Sequence, residues 1–201
     1  KKRTGLVGFI LSVSILETSL ERNRHATKAI HEAGFDIMSS DMMWDDEGLN
    51  RSLEAMLNAR TEGILLSGLS GGLKTDALRH VIQQDVPIVG LAGSRFPGVP
   101  HVDVDHFQGM FDLTTHIIDQ ACRTLVLLVP IGEDETEEFQ YHSHIERIRG
   151  FRAASARADI SAENAKVHRV LADDYEDDLY RAGFEGMREI IASGAIPDAV
   201  L

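Results

Sequence analysis

Apolar residues along this chain follow two rhythms: short unbroken runs, and longer stretches in which they recur every third or fourth position. The first rhythm predicts strands buried on both faces, the second amphipathic helices. Leu6–Leu11 reads as the opening strand, followed by a helix from about Thr18 to Ala33 that Gly34 terminates. Asp36–Ser40 is the second strand. Asp45-Asp46-Glu47 puts negative charge at the start of a second helix, whose inner stripe is Leu49, Leu53, Met56 and Leu57. Gly63–Ser67 is the third strand, and Leu78, Val81 and Ile82 mark a third helix. Val86–Leu91 is a fourth strand with Pro87 near its start.

A Gly/Pro-rich loop from Ala92 to Pro100 leads into a short strand, His101–Val104, which is the expected passage between two lobes, residues 4–104 and 105–201. The alternation then resumes with a helix Phe107–Gln120, a strand Leu125–Val129, a helix from about Ser143 to Ala158, a strand Val167–Leu171 and a helix Asp177–Ala192. Ala199-Val200-Leu201 begins one more strand, so the second lobe reads as unfinished. Strands and helices in this order imply an α/β protein with parallel sheets and right-handed crossovers, split into two Rossmann-like lobes.

Composition narrows the class. The 201 residues are 43% hydrophobic and 26% charged, and no apolar run approaches the roughly 20 residues of a membrane span. A formal net charge of −12 disfavours direct contact with nucleic acid, which needs clustered Lys and Arg; only Lys1-Lys2-Arg3 forms a basic run. The single cysteine, Cys122, excludes an internal disulfide framework, and the opening residues lack a signal-peptide core. A cytoplasmic setting is expected.

The most informative single residue is Arg147. It opens the run Arg147-Ile148-Arg149-Gly150-Phe151 behind an acidic, His-bearing loop that follows an apolar strand. Small molecules bind outside the carboxyl ends of parallel strands, and a guanidinium there is a natural handle for hydroxyls or a carboxylate. Asp134, Glu135, Glu137 and Glu138 could instead pair with it. Other chemistry is thinner. Gly68-Leu69-Ser70-Gly71-Gly72 satisfies G-x-S-x-G between a strand and a helix, the context of a hydrolase nucleophile, but the last histidine, His168, abuts a strand rather than lying on a late loop. His142 and His144 lack companion ligands at a metal-binding spacing, and His pairs on acidic loops are usually solvated. Asp173, Asp174, Glu176, Asp177 and Asp178 match a calcium loop in charge only. Gly5-x-x-Gly8 precedes its turn and so is not a dinucleotide fingerprint. No catalytic residue, metal or cofactor is assigned. Trp44, in a loop after the second strand, suits either a cleft rim or a partner surface.

Several short motifs in order carry a resemblance. Thr4-Gly5-Leu6-Val7-Gly8, Val104-Asp105-His106-Phe107-Gln108-Gly109, His116-Ile117-Ile118, Arg123-Thr124-Leu125-Val126-Leu127-Leu128 and Arg147-x-x-Gly150-Phe151 together resemble the effector-binding core of the LacI/GalR family of transcriptional regulators, which has the periplasmic-binding-protein-like I fold. There are departures: His106 stands where the family usually has Asn, Met110 replaces a Gly, Ala121-Cys122 replaces Gly-His, the first loop lacks Asn-Pro-Phe-Phe, and Ala92 replaces an Asp that many members carry.

The resemblance implies a ligand-sensing repressor core without catalysis. Two lobes would close over a small polar effector, a sugar, sugar derivative or nucleobase-like compound, and alter DNA-binding domains joined upstream of Lys1. It further implies a homodimer on operator DNA, read through a helix-turn-helix domain outside this chain, and a C-terminal part also outside it. The positions it matches to ligand contacts are Arg147, Tyr141, Ser143 and Tyr175 in the second lobe, and Ser67, Leu16 and Thr18 in the first. A serine ending a strand, and tyrosine or serine in an exposed loop, also have ordinary structural readings. The alternative of the same fold is an extracytoplasmic sugar-binding protein of an ABC transporter; a hydrolase using Ser70 is third.

Overall fold

A computed structural model describes residues 3–11, 17–41, 46–69, 76–93, 95–96, 98–131, 142–171 and 179–201. The chain divides into two compact units, Lys1–Val104 and Asp105–Leu201, taken separately below. No helix among the described residues is long and apolar enough to cross a membrane.

The first unit runs β1 (Leu6–Leu11), α1 (Glu17–Glu32), β2 (Asp36–Asp41), α2 (Asp46–Asn58), β3 (Gly63–Leu69), α3 (Asp76–Gln83), β4 (Ile88–Gly93) and β5 (His101–Val102). Its five strands pair in parallel in the order β2-β1-β3-β4-β5. Apolar side chains from one face of the sheet, Ile10, Ile64, Leu66 and Ile88, pack with Leu49, Leu53 and Met56 of α2 and with Leu78 and Val81 of α3. Gly8 is small for a reason: a Cβ there would lie 2.6 Å from Met56 Sδ, so the missing side chain lets α2 settle onto β1. Gly34 ends α1 in the left-handed region at φ 83°, with Phe35 N–H donating to Ile30 O and Gly34 N–H to His31 O.

Three expectations shift. Ile82, expected on the inner stripe of α3, is 38% exposed, while Leu78 and Val81 are buried; the eight-residue helix turns Ile82 off the buried arc. The fourth strand begins at Ile88, because Pro87 cannot donate to a ladder; its carbonyl accepts from Ile64 N–H instead. The short fifth strand ends at Val102 rather than Val104.

The second unit runs α4 (His106–Asp119), β6 (Leu125–Ile131), α5 (His142–Arg157), β7 (Ala165–Leu171), α6 (Leu179–Ala192) and β8 (Ala199–Val200), with parallel strands in the order β7-β6-β8. Asp105 caps α4, its carboxylate accepting from Gln108 N–H at 2.8 Å. One sheet face buries Leu125, Leu127 and Val129 with Ile118 of α4 and Ile148 and Phe151 of α5. On the other face Leu128 and Val170 meet Ala182 of α6. The Asp198 carboxylate accepts from the Arg123 and Thr124 N–H groups, each at 2.8 Å, and fastens the approach to β8 beside the approach to β6. Those backbone bonds, that from Arg123 foremost, hold its carboxyl below the usual range.

Gly150 is where α5 meets α4. A Cβ there would clash with the Phe107 carbonyl and sit 3.0 Å from Phe111 N and 3.2 Å from Met110 Cβ. Backbone cannot swing aside as a flexible side chain does. Gly150→Ala is therefore expected to cost about 1–3 kcal/mol through forced separation of the helices, read as a lowered denaturant midpoint; an unchanged midpoint would show that the helices are not in backbone contact.

Candidate functional site

Arg147 lies in the second turn of α5, one turn before Gly150, with its side chain exposed. Its neighbour Arg149 is tied down: the guanidinium donates to Glu146 at 2.6 Å and lies 5.7 Å from the centre of the Phe107 ring. Asp134, Glu135, Glu137 and Glu138, the alternative partners of Arg147, lie outside the described residues; among the described residues no carboxylate is within ion-pair distance of it. The run thus contains one arginine held by neighbouring side chains and one with an exposed side chain.

His144, a turn ahead of Arg147, is only 4% exposed. The pair His142 and His144 suggests solvated imidazoles; instead α5, which starts at His142, one residue before the expected Ser143, carries the His144 imidazole inward. Burial above all, then the positive neighbours Arg147 and His106, lowers its pKa to about 4. The ring is neutral at pH 7, and its neutrality avoids a second charge behind Arg147. Ser143 sits partly buried in the same first turn.

In the first unit, Ser67 is 1% exposed and its hydroxyl is engaged on both sides. It donates to Asn23 Oδ1 at 2.8 Å and accepts from Arg22 Nε at 3.3 Å and Nη2 at 3.1 Å. Burial lowers the pKa of the Arg22 guanidinium, and the Asp103 carboxylate acts against that shift. Ser67 pairs in register with Leu11, the last residue of β1, and with Leu91 of β4. The cluster therefore stands at the carboxyl rim of the sheet.

Tyr141, Tyr175 and Leu16 lie outside the described residues, as do Trp44 and Ser70; Thr18 falls within α1, but its side chain is not described. His168, which a hydrolase would need on a loop, is in β7 and bonded to Glu189 at 2.9 Å. Sequence reasoning missed Arg22 and Asn23. A signal existed for both. Ser19, Arg22, Asn23, Ala26 and Ile30 recur at helical spacing, so a polar pair occupies the arc of α1 where apolar residues belong.

No family model matches the sequence. The chain is 24% identical to the ribose operon repressor of Escherichia coli K12 over 98% of its own length and 56% of the repressor's. Its structure superposes on the Cra transcriptional dual regulator of Pseudomonas putida, solved with fructose 1-phosphate, at a TM-score of 0.74 and 16% identity, covering 98% of this chain and 68% of that one. A LacI family transcriptional regulator from Silicibacter pomeroyi gives 0.73 and 20%, covering 97% and 68%. The chain has the fold of LacI-family regulators. Its two parallel α/β units are the architecture that the motif order implied, and the chain spans little more than half the length of the curated repressor it matches.

Proposed function

We propose that this chain is the effector-sensing core of a LacI-type transcriptional repressor, binding a small polar molecule of the sugar class at the carboxyl ends of its strands. The observation that carries this reading is the likeness to a repressor along 98% of the chain. The exposed Arg147 on α5, in the run that follows the apolar strand β6, supports where the effector binds. The working protein is a cytoplasmic homodimer. It reaches operator DNA through a helix-turn-helix domain joined upstream of Lys1, and the effector acts by unequal affinity for two arrangements of the core. No chemistry is performed on the ligand.

Calorimetry of the full-length protein with D-ribose and with fructose 1-phosphate, paired with fluorescence anisotropy on operator DNA, tests this. Binding of either sugar that shifts DNA affinity is the expected result; absence of both effects ends the sugar-repressor reading. Charge-assisted hydrogen bonds are worth about 1.5–3 kcal/mol, so Arg147→Ala is expected to weaken effector binding by about one to two orders of magnitude. Wild-type affinity in that variant would remove Arg147 from the site.

A further inference from the structure

Arg22 carries a feature that the proposed function does not use. Its guanidinium is half-buried, yet its hydrogen bonds among the described residues go to one neutral hydroxyl, Ser67 Oγ. No carboxylate among those residues lies within ion-pair distance. Nε–H and one N–H of Nη2 are spent on the serine. The other three donors of the fork, two on Nη1 and one on Nη2, remain, and none is both buried and unsatisfied.

The anchoring is directional. Asn23 Oδ1 accepts the Ser67 proton, which turns the hydroxyl lone pairs toward Arg22. Ser67 therefore cannot offer a hydrogen to a ligand; it serves as the pedestal on which the guanidinium stands. Because Ser67 is level with the end of β1, that pedestal places the fork at the rim where ligands of parallel α/β sheets bind. A half-buried cation with spare donors at such a rim is placed to take an acceptor that arrives with the ligand in exchange for water.

We propose that Arg22 is a specificity-determining residue of the first unit, gripping vicinal hydroxyls of a neutral sugar through its free N–H edge. This rests on the sugar-sensing reading above. A guanidinium presents parallel N–H groups with no acceptor, so it matches a pair of hydroxyl oxygens, a carboxylate or a phosphoryl group. The sugar-class reading above selects the hydroxyl pair, which requires only the donors; the Asp103 carboxylate, which acts on Arg22 through space against the larger effect of burial, favours a neutral group over an anion in the same direction.

The test uses the full-length protein and D-ribose, its 2-deoxy and 3-deoxy analogues, and fructose 1-phosphate, by calorimetry. Wild type is expected to bind at least one deoxy analogue about tenfold or more weakly than ribose, an effect that Arg22→Met abolishes by lowering ribose affinity to the analogue's level. Arg22→Lys, which keeps the charge without the fork, is expected to lose the same discrimination while its thermal unfolding stays close to wild type. A purely structural Arg22 would weaken all ligands in proportion and leave the ratios intact, which overturns the assignment but not the sugar reading. Wild type binding fructose 1-phosphate and not ribose, with loss in Arg22→Met and competition by inorganic phosphate, overturns the neutral-sugar assignment in favour of a phosphoryl group. Wild type binding none of these sugars overturns the sugar-sensing reading, and this assignment with it.

Discussion

Replacing Phe151 with alanine is expected to destabilise the second unit by about 3–5 kcal/mol, the range for an aromatic side chain removed from a closed core. Phe151 is fully buried and packs in the cluster of Leu125, Leu127 and Val129 from β6 with Ile118 and Ile148 from the helices. Relaxation into the cavity is restricted, because Gly150 beside it already holds α5 at backbone distance from α4. The helix cannot slide inward to fill the gap. Hydrogen exchange of the β6 and α5 amides reads the effect in this unit, and protection within a factor of ten of wild type would contradict the packing described.

Acidification is expected to weaken the same unit through His144. Its folded pKa is about 4, against about 6.5 in an unfolded chain, so the unfolded state binds more protons between those values. Stability is therefore complete above pH 6.5, falls as pH drops toward 4 and levels off below. A lowering of about two and a half units corresponds to about 3 kcal/mol at the acid end of that window. Burial is the main cause, with Arg147 and His106 adding to it. Thermal unfolding of wild type and His144→Leu from pH 7.5 to 5 checks this: the wild-type midpoint falls steadily below pH 6.5, and the variant's curve is flatter. Parallel curves would mean that His144 is protonated in the folded protein without penalty.

Element order and sheet type were legible in the sequence because each rests on local periodicity. The runs at Leu6–Leu11 and Leu125–Ile131 are apolar at nearly every position, and the stripe at Leu49, Leu53 and Met56 is unbroken. Ile82 was misread because an apolar residue at the edge of a short helix satisfies the same spacing whether it faces in or out. The candidate site was less legible, since its state depends on pairings between distant residues. Ser67 was expected to end its strand, whereas β3 runs two residues further to Leu69, and that its hydroxyl is committed to Arg22 and Asn23 depends on a contact across 44 or 45 positions. Arg147 and Arg149 look alike in sequence; Glu146 and the Phe107 ring separate them. The helix expected from about Ser143 already contains His144, and His144, Ile148, Phe151 and Ser155 share its buried arc; a polar imidazole at such a spacing carries no apolar signal to say that the arc faces inward.

The close seat of Gly150 against Phe107 and Phe111 also has a mechanical consequence for the second unit. Arg147 is a single turn away on the same helix, and α5 cannot shift without α4, since their backbones are in contact there. Neither helix can then move toward the other at that point. A load at Arg147 that presses α5 toward α4 is therefore shared by both helices and by the core beneath them.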